Sequence, residues 1–147
     1  MNVTELMIGD WVYDTILQSN AKIQAINPLT IRCDIHTEHH LYCEFNPIHL
    51  TPEILENNGF SPETFLTSEW EKEVYFKEFS SCVVEPDDSG KYIFGTTIYW
   101  NKTDGDGSPI DWGTMYDSRI CNLQYVHELQ QALRLVGLNE LADNFKV

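Results

Sequence analysis

The residue types best suited to chemistry in this chain of 147 residues are concentrated in one short segment, residues 33–43. The segment contains two thiols, three imidazoles and two carboxylates: Cys33, Asp34, His36, Glu38, His39, His40 and Cys43. Cys33-x2-His36 and His40-x2-Cys43 place sulfur and nitrogen ligands symmetrically about a loop, and zinc accepts such a ligand set. Cys33, His36, His40 and Cys43 are therefore a candidate metal cluster.

Two features of the same segment argue against zinc. The two pairs are much closer in sequence than the ligand pairs of zinc modules. Alternate residues of a strand also point to opposite faces, so both thiols could turn away from the loop. We favour a solvated polar loop with two buried thiols, and we expect neither a metal nor any other cofactor.

A second acidic segment, residues 104–111, has the composition of a calcium-binding loop but fails its register. With Asp104 and Asp106 at the third and fifth positions of an EF-hand loop, Lys102 and Gly113 occupy the first and twelfth positions. Carboxylates are required there. A flexible hairpin loop over residues 101–113 explains the glycines better.

Catalytic motifs are absent from the sequence. There is no Gly-x-Ser-x-Gly elbow, phosphate-binding loop, dinucleotide fingerprint or His-Glu-x-x-His pair. A thiol and an imidazole such as Cys121 and His127 can be paired by type in any chain with five histidines. We assign no catalytic residue, and a small hydrolase with an unrecognised site is kept as an alternative.

Short strands are predicted on both sides of the histidine-rich segment. Residues 11–13 and 22–26 flank a polar turn and predict one hairpin, and residues 30–33 and 41–45 predict a second. Strands this short and this close together indicate an SH3-like barrel or a curled antiparallel sheet over residues 1–50.

The remainder of the chain, residues 51–147, predicts a mixture of helices and strands. Thr51, Pro52 and Gly59 suit the cap, first turn and end of a short helix. Residues 70–100 predict antiparallel strands, with a period of two after residue 92. Apolar residues at steps of three and four predict an amphipathic helix from about Asn122 to Val136, packed across this second sheet. We expect an α+β fold in a single domain, with a possible subdivision near residue 50.

The charge balance limits the classes of partner. Nine basic and 23 acidic residues give a net charge of −14, which repels nucleic-acid backbones. Direct nucleic-acid binding is therefore not expected, although an acidic surface that imitates a nucleic acid is a further alternative. The N-terminus lacks a secretory pattern and no apolar run is long enough for a membrane span, so we expect a cytoplasmic protein.

Residues 5–12, 47–55 and 125–130 resemble a family of small uncharacterised proteins from gut-bacterial and phage genomes. Members of that family have a Leu-x-Ile-Gly start, a Pro-Ile-x-Leu-Thr middle and a Tyr-Val-His-x-Leu-Gln helix. The resemblance implies the architecture and a phage or mobile-element setting, and it assigns no functional residue.

Residues 8–12 also resemble the first strand of SH3-like barrels, in which a Gly-Asp pair precedes an aromatic residue. Such small barrels commonly bind peptides through aromatic grooves. We therefore expect a non-enzymatic protein-interaction module with Trp11, Tyr13 and Trp112 as exposed contact residues. The partner is an unidentified protein, and self-association is an open possibility.

Overall fold

A computed structural model describes residues 5–62, 70–75, 79–103 and 109–147, and the side chains of residues 5–61, 82–96 and 119–147. The chain forms two compact units, one of Met1–Ile54 with Gln124–Val147 and the other of Leu55–Leu123. Two antiparallel sheets and a C-terminal amphipathic helix confirm the predicted α+β class. Within the described ranges, no helix combines the length and apolar content that crossing a membrane requires.

The first unit contains an antiparallel sheet with the strand order β4-β3-β2-β1-β5. Its strands are β1 (Trp11–Asp14), β2 (Ser19–Ile26), β3 (Thr30–Cys33), β4 (His40–Leu41) and β5 (Phe45–Pro47). Both predicted hairpins form, β1 with β2 and β3 with β4. The strand predicted over residues 41–45 is interrupted by a 3-10 turn, Tyr42–Glu44. After this turn the chain pairs with β1 as β5, so the turn brings residues 42–44 back beside β1.

Side chains along these strands point alternately inward and outward, and the inward ones form the core of the first unit. Apart from Asp14 on β1, inward positions of β1, β2 and β3 carry small or β-branched residues, which pack well on a pleated surface. Buried apolar side chains on the sheet and before it are Leu6, Val12, Ala21, Ile23, Ile31, Cys33 and Phe45. The outward residues between them form the surface on which a site can be built.

Two helices complete the first unit, α2 (Val126–Leu135) and α3 (Asn139–Asp143). Leu129 and Leu133 on α2 are buried, as predicted. The helix begins later than predicted, because Leu123 ends a strand and the Glu128 carboxylate accepts the Tyr125 N–H at 2.9 Å. Contacts of α2 with β1 and α3 group it with the first sheet, which corrects the predicted packing on the second sheet.

The short helix α1 (Pro52–Asn57) has the predicted caps. The Ile54 N–H lies 3.3 Å from Thr51 Oγ1, and the Phe60 N–H donates to the Leu55 carbonyl at 3.1 Å. Gly59 has a φ of +78°, the left-handed conformation in which glycine avoids a side-chain clash.

The second unit contains an antiparallel sheet with the order β10-β9-β8-β7-β6. The strands are β6 (Ser61–Pro62), β7 (Trp70–Tyr75), β8 (Phe79–Pro86), β9 (Tyr92–Thr103) and β10 (Pro109–Leu123). The loop predicted over residues 101–113 is wrong at both ends, because β9 extends to Thr103 and β10 starts at Pro109. Irregular pairing between Pro109 and Asp111 lets this polar stretch remain in the ladder. Residues 104–108, which carry most of the acidic loop, lie outside the described residues.

Candidate functional site

The candidate site lies where the turn after β1 meets the segment that follows β3. Asp14, the last residue of β1, is buried, and its Oδ1 accepts the N–H groups of Ile16 and Leu17 at 2.8 Å each. Its Oδ2 contacts His36 Nε2. A single carboxylate therefore fixes both the turn and the histidine-rich segment, because aspartate readily accepts backbone bonds from the residues that follow it.

A second histidine–carboxylate pair lies directly against the first. The rings of His36 and His40 have centroids 4.0 Å apart, and His40 Nδ1 lies 3.1 Å from Glu44 Oε2. The site thus contains the series carboxylate, imidazole, imidazole, carboxylate. We refer to Asp14, His36, His40 and Glu44 as the histidine cluster.

The electrostatics of Asp14 favour its charged form. Burial raises the pKa of this carboxyl, but hydrogen bonds from the Leu17 N–H, from His36 and from the Ile16 N–H outweigh burial. The net result is a pKa below the ordinary aspartate value. Asp14 is consequently an anion beside an imidazole throughout the neutral range.

The two thiols of the candidate metal cluster are divided between the core and the surface. Cys33 is buried, and burial, followed by the charges of Asp34 and Asp14, raises the pKa of its thiol to about 12. Cys43 is exposed on the 3-10 turn, so the expectation of two buried thiols is wrong for this residue. Among the described side chains, no group of three or more His, Cys, Asp or Glu has a geometry that could hold a metal ion.

Large aliphatic side chains on the segments that carry the histidine cluster face solvent. Ile16 and Leu17 are 56% and 52% exposed, and Ile35 and Leu41, which adjoin His36 and His40 in sequence, are 42% and 53% exposed. We refer to Ile16, Leu17, Ile35 and Leu41 as the apolar patch. Sequence reasoning missed the patch, although two adjacent aliphatic residues in a short turn are an unusual pattern that could have revealed it.

Of the three predicted contact aromatics, Trp11 and Tyr13 lie on β1 and Trp112 lies on β10. Trp11 is half-buried, its Nε1–H donates to the Phe145 carbonyl at 2.7 Å, and Lys22 Nζ lies 5.8 Å from its ring centroid. Tyr13 is half-buried on β1, one residue before Asp14. Trp112 pairs with Asn101 in the β10–β9 ladder, and its side chain is outside the described part. Their roles in binding remain predictions.

A different histidine, His127, is part of the core of the first unit. It is 2% exposed, its ring stacks on Tyr125 at 5.7 Å, and its Nδ1 is buried without a hydrogen-bond partner among the described residues. Burial lowers the pKa of His127, against the opposing charges of Asp10 and Glu128. A buried neutral imidazole in this position is a packing group.

A buried polar network fixes α2 to the segment before β1. Asp10 is fully buried, and its Oδ1 lies 2.6 Å from Arg134 Nη1 while its Oδ2 accepts Gln131 Nε2–H at 2.7 Å. Buried Gln130 accepts the Trp11 N–H at 2.9 Å and donates to the Gly9 carbonyl at 3.1 Å. These bonds satisfy groups that burial would otherwise leave unpaired, so the network supports the sheet.

The histidine cluster pairs imidazoles with carboxylates, whereas nucleophilic catalysis needs an activated hydroxyl or thiol beside an imidazole. The nearby thiol of Cys33 is buried and its raised pKa keeps it protonated. Thr30 Oγ1 lies 3.4 Å from His39 Nδ1, which is exposed and too distant for strong activation. Neither group is therefore placed to act as a nucleophile at this cluster. Comparisons with known protein families, curated proteins and solved structures found no match for this chain.

Proposed function

We propose that this protein is a non-enzymatic protein-interaction module whose contact surface is the apolar patch around the histidine cluster. The observation that carries the proposal is the exposure of four large aliphatic side chains on segments that Asp14, His36 and His40 join. Removing apolar surface from water contributes about 25 cal/mol per Å², so these side chains offer binding energy that folding leaves unused. Contiguous exposed apolar residues with a polar rim are typical of interaction sites.

The patch is also held in place before any partner arrives. Asp14 accepts the N–H groups of both patch residues in the turn, and the Thr15 N–H donates to the Glu44 carbonyl at 2.9 Å. Binding to a preorganised surface costs less conformational entropy than binding to a segment that must first become ordered. Such rigidity favours a specific protein contact.

The proposal includes a cytoplasmic phage or mobile-element setting, which the resemblance of three segments to the gut-bacterial and phage family supports. The resemblance of residues 8–12 to SH3-like barrels supports a binding role in the same way. Trp11, Tyr13 and Trp112 remain proposed additional contacts. An acidic mimic of nucleic acid is the second candidate, and the net charge of −14 is the observation that favours it.

Affinity purification from the source cells tests the proposal with two matched double variants. Leu17→Ser/Ile35→Ser removes two aliphatic side chains of the patch. Ile8→Ser/Leu135→Ser removes two exposed aliphatic side chains that lie outside it, one before β1 and one on α2.

We expect one protein to co-purify with the wild type and with the control variant, and to be lost with the patch variant. Loss with the control variant alone would assign the contact to a different surface. Equal recovery with both variants, with release only by high salt, would favour the acidic mimic instead.

A further inference from the structure

Resting on the proposed function, we infer that the patch binds a cationic amphipathic segment of a partner protein, in which apolar residues alternate with lysine or arginine. The first support is the sign of the charge around the patch. Asp14 and Glu44 lie within the histidine cluster, and Asp34 and Glu38 are exposed on the segment that carries Ile35. An apolar surface bordered by carboxylates is complementary to this kind of segment and repels an acidic one.

Basic residues of the same unit do not neutralise these carboxylates. In the described part of the chain, no lysine or arginine forms an ion pair with Asp34, Glu38 or Glu44. Lys22, whose backbone N–H donates to Asp34 Oδ1 at 2.9 Å, directs its ammonium to the Asp143 carbonyl and the Trp11 ring. The rim of the patch therefore carries negative charge that a partner can pair with.

Three short synthetic peptides of equal length test the inference in binding titrations with the full chain. One alternates Leu with Lys, one alternates Leu with Glu, and one alternates Leu with Ser. Each is titrated against the wild type, Leu17→Ser/Ile35→Ser and Ile8→Ser/Leu135→Ser.

We expect the Leu-Lys peptide to bind the wild type most tightly, and the patch variant to bind it about tenfold or more weakly, with no change for the control variant. If the Leu-Glu or Leu-Ser peptide binds as tightly and loses affinity in the patch variant, the cationic partner is wrong while the interaction surface stands. If the Leu-Lys peptide binds the wild type and all variants equally, it is attracted to the overall negative charge of the protein and not to the patch. That result overturns the inference.

Discussion

The imidazole rings of His36 and His40 lie against each other at a tilt of 38°, with their centroids 4.0 Å apart, and each ring contacts its own carboxylate. This arrangement joins the turn after β1, the segment after β3 and the 3-10 turn. The neighbouring aliphatic side chains remain exposed. Stability and binding can be tested separately, because the groups that hold the fold together differ from those that form the patch.

The buried ion pair between Asp10 and Arg134 is expected to be essential to the first unit. Arg134 has a second partner, Asp143, at 3.2 Å, but that side chain is 62% exposed. Asp10→Ala should lower the free energy of unfolding by about 3–5 kcal/mol, because it leaves a largely buried guanidinium without its main partner. Asp143→Ala should lower it by less than about 1 kcal/mol. Urea denaturation measures both, and equal losses would contradict the assigned roles.

Two leucines on α2 provide a matched test of the packing of this helix. Leu133 is fully buried and Leu135 is 75% exposed. Leu133→Ala should lower the free energy of unfolding by about 2–5 kcal/mol because it leaves a cavity. Leu135→Ala should change it by less than about 0.5 kcal/mol. Thermal unfolding of both variants checks the prediction, and an unchanged melting temperature for Leu133→Ala would contradict the packing.

How far the sequence predicts this molecule is clear from α2 and the histidine-rich segment. The stripe containing Leu129 and Leu133 identifies α2, because helix periodicity is local. The sequence places α2 on the wrong sheet, because a stripe shows which face is buried and not what covers it. Similarly, Cys33, His36 and His40 are recognisable as reactive types. The separation of the buried Cys33 thiol from the exposed Cys43 thiol depends on the 3-10 turn, which a single sequence does not reveal.

Acid should destabilise the protein partly through Asp14. A carboxyl whose pKa is lowered in the folded state stabilises the protein at any pH above its pKa in the unfolded state, which is about 4. That contribution is lost as the pH falls through the pKa of the folded state. The Asp14→Asn variant should therefore be less stable than the wild type at pH 7, with a smaller difference at about pH 3. Denaturation at both pH values measures this, and a constant difference would show that the charge is unimportant.

His127 should destabilise the first unit on mild acidification. Its pKa is lowered by burial, so the unfolded state takes up a proton more readily below about pH 6.5 and stability falls with the pH. His127→Phe keeps a ring against Tyr125 and removes the unpaired Nδ1. The variant should be at least as stable at pH 7 and should lose less stability by pH 5. Calorimetry across this range checks both; a variant with the wild-type slope would contradict the account.

Metal removal should leave the protein unchanged. The Cys33 thiol is in the core, and the imidazoles of His36 and His40 each engage a carboxylate. Elemental analysis of untagged protein should find no stoichiometric zinc, and a chelator should leave the melting temperature unaltered. Stoichiometric zinc that disappears in the Cys33→Ser variant would overturn this interpretation.

Site-specific photo-crosslinking in the source cells tests the proposed interaction surface most directly. A photoreactive amino acid is placed at position 17 or 35 in the patch, and at position 8 or 135 as controls, since all four native side chains are exposed. We predict that one protein is crosslinked from positions 17 and 35 and from neither control position. Crosslinking from positions 8 and 135 alone, or no crosslink from the patch while the purified partner still binds, would contradict the account.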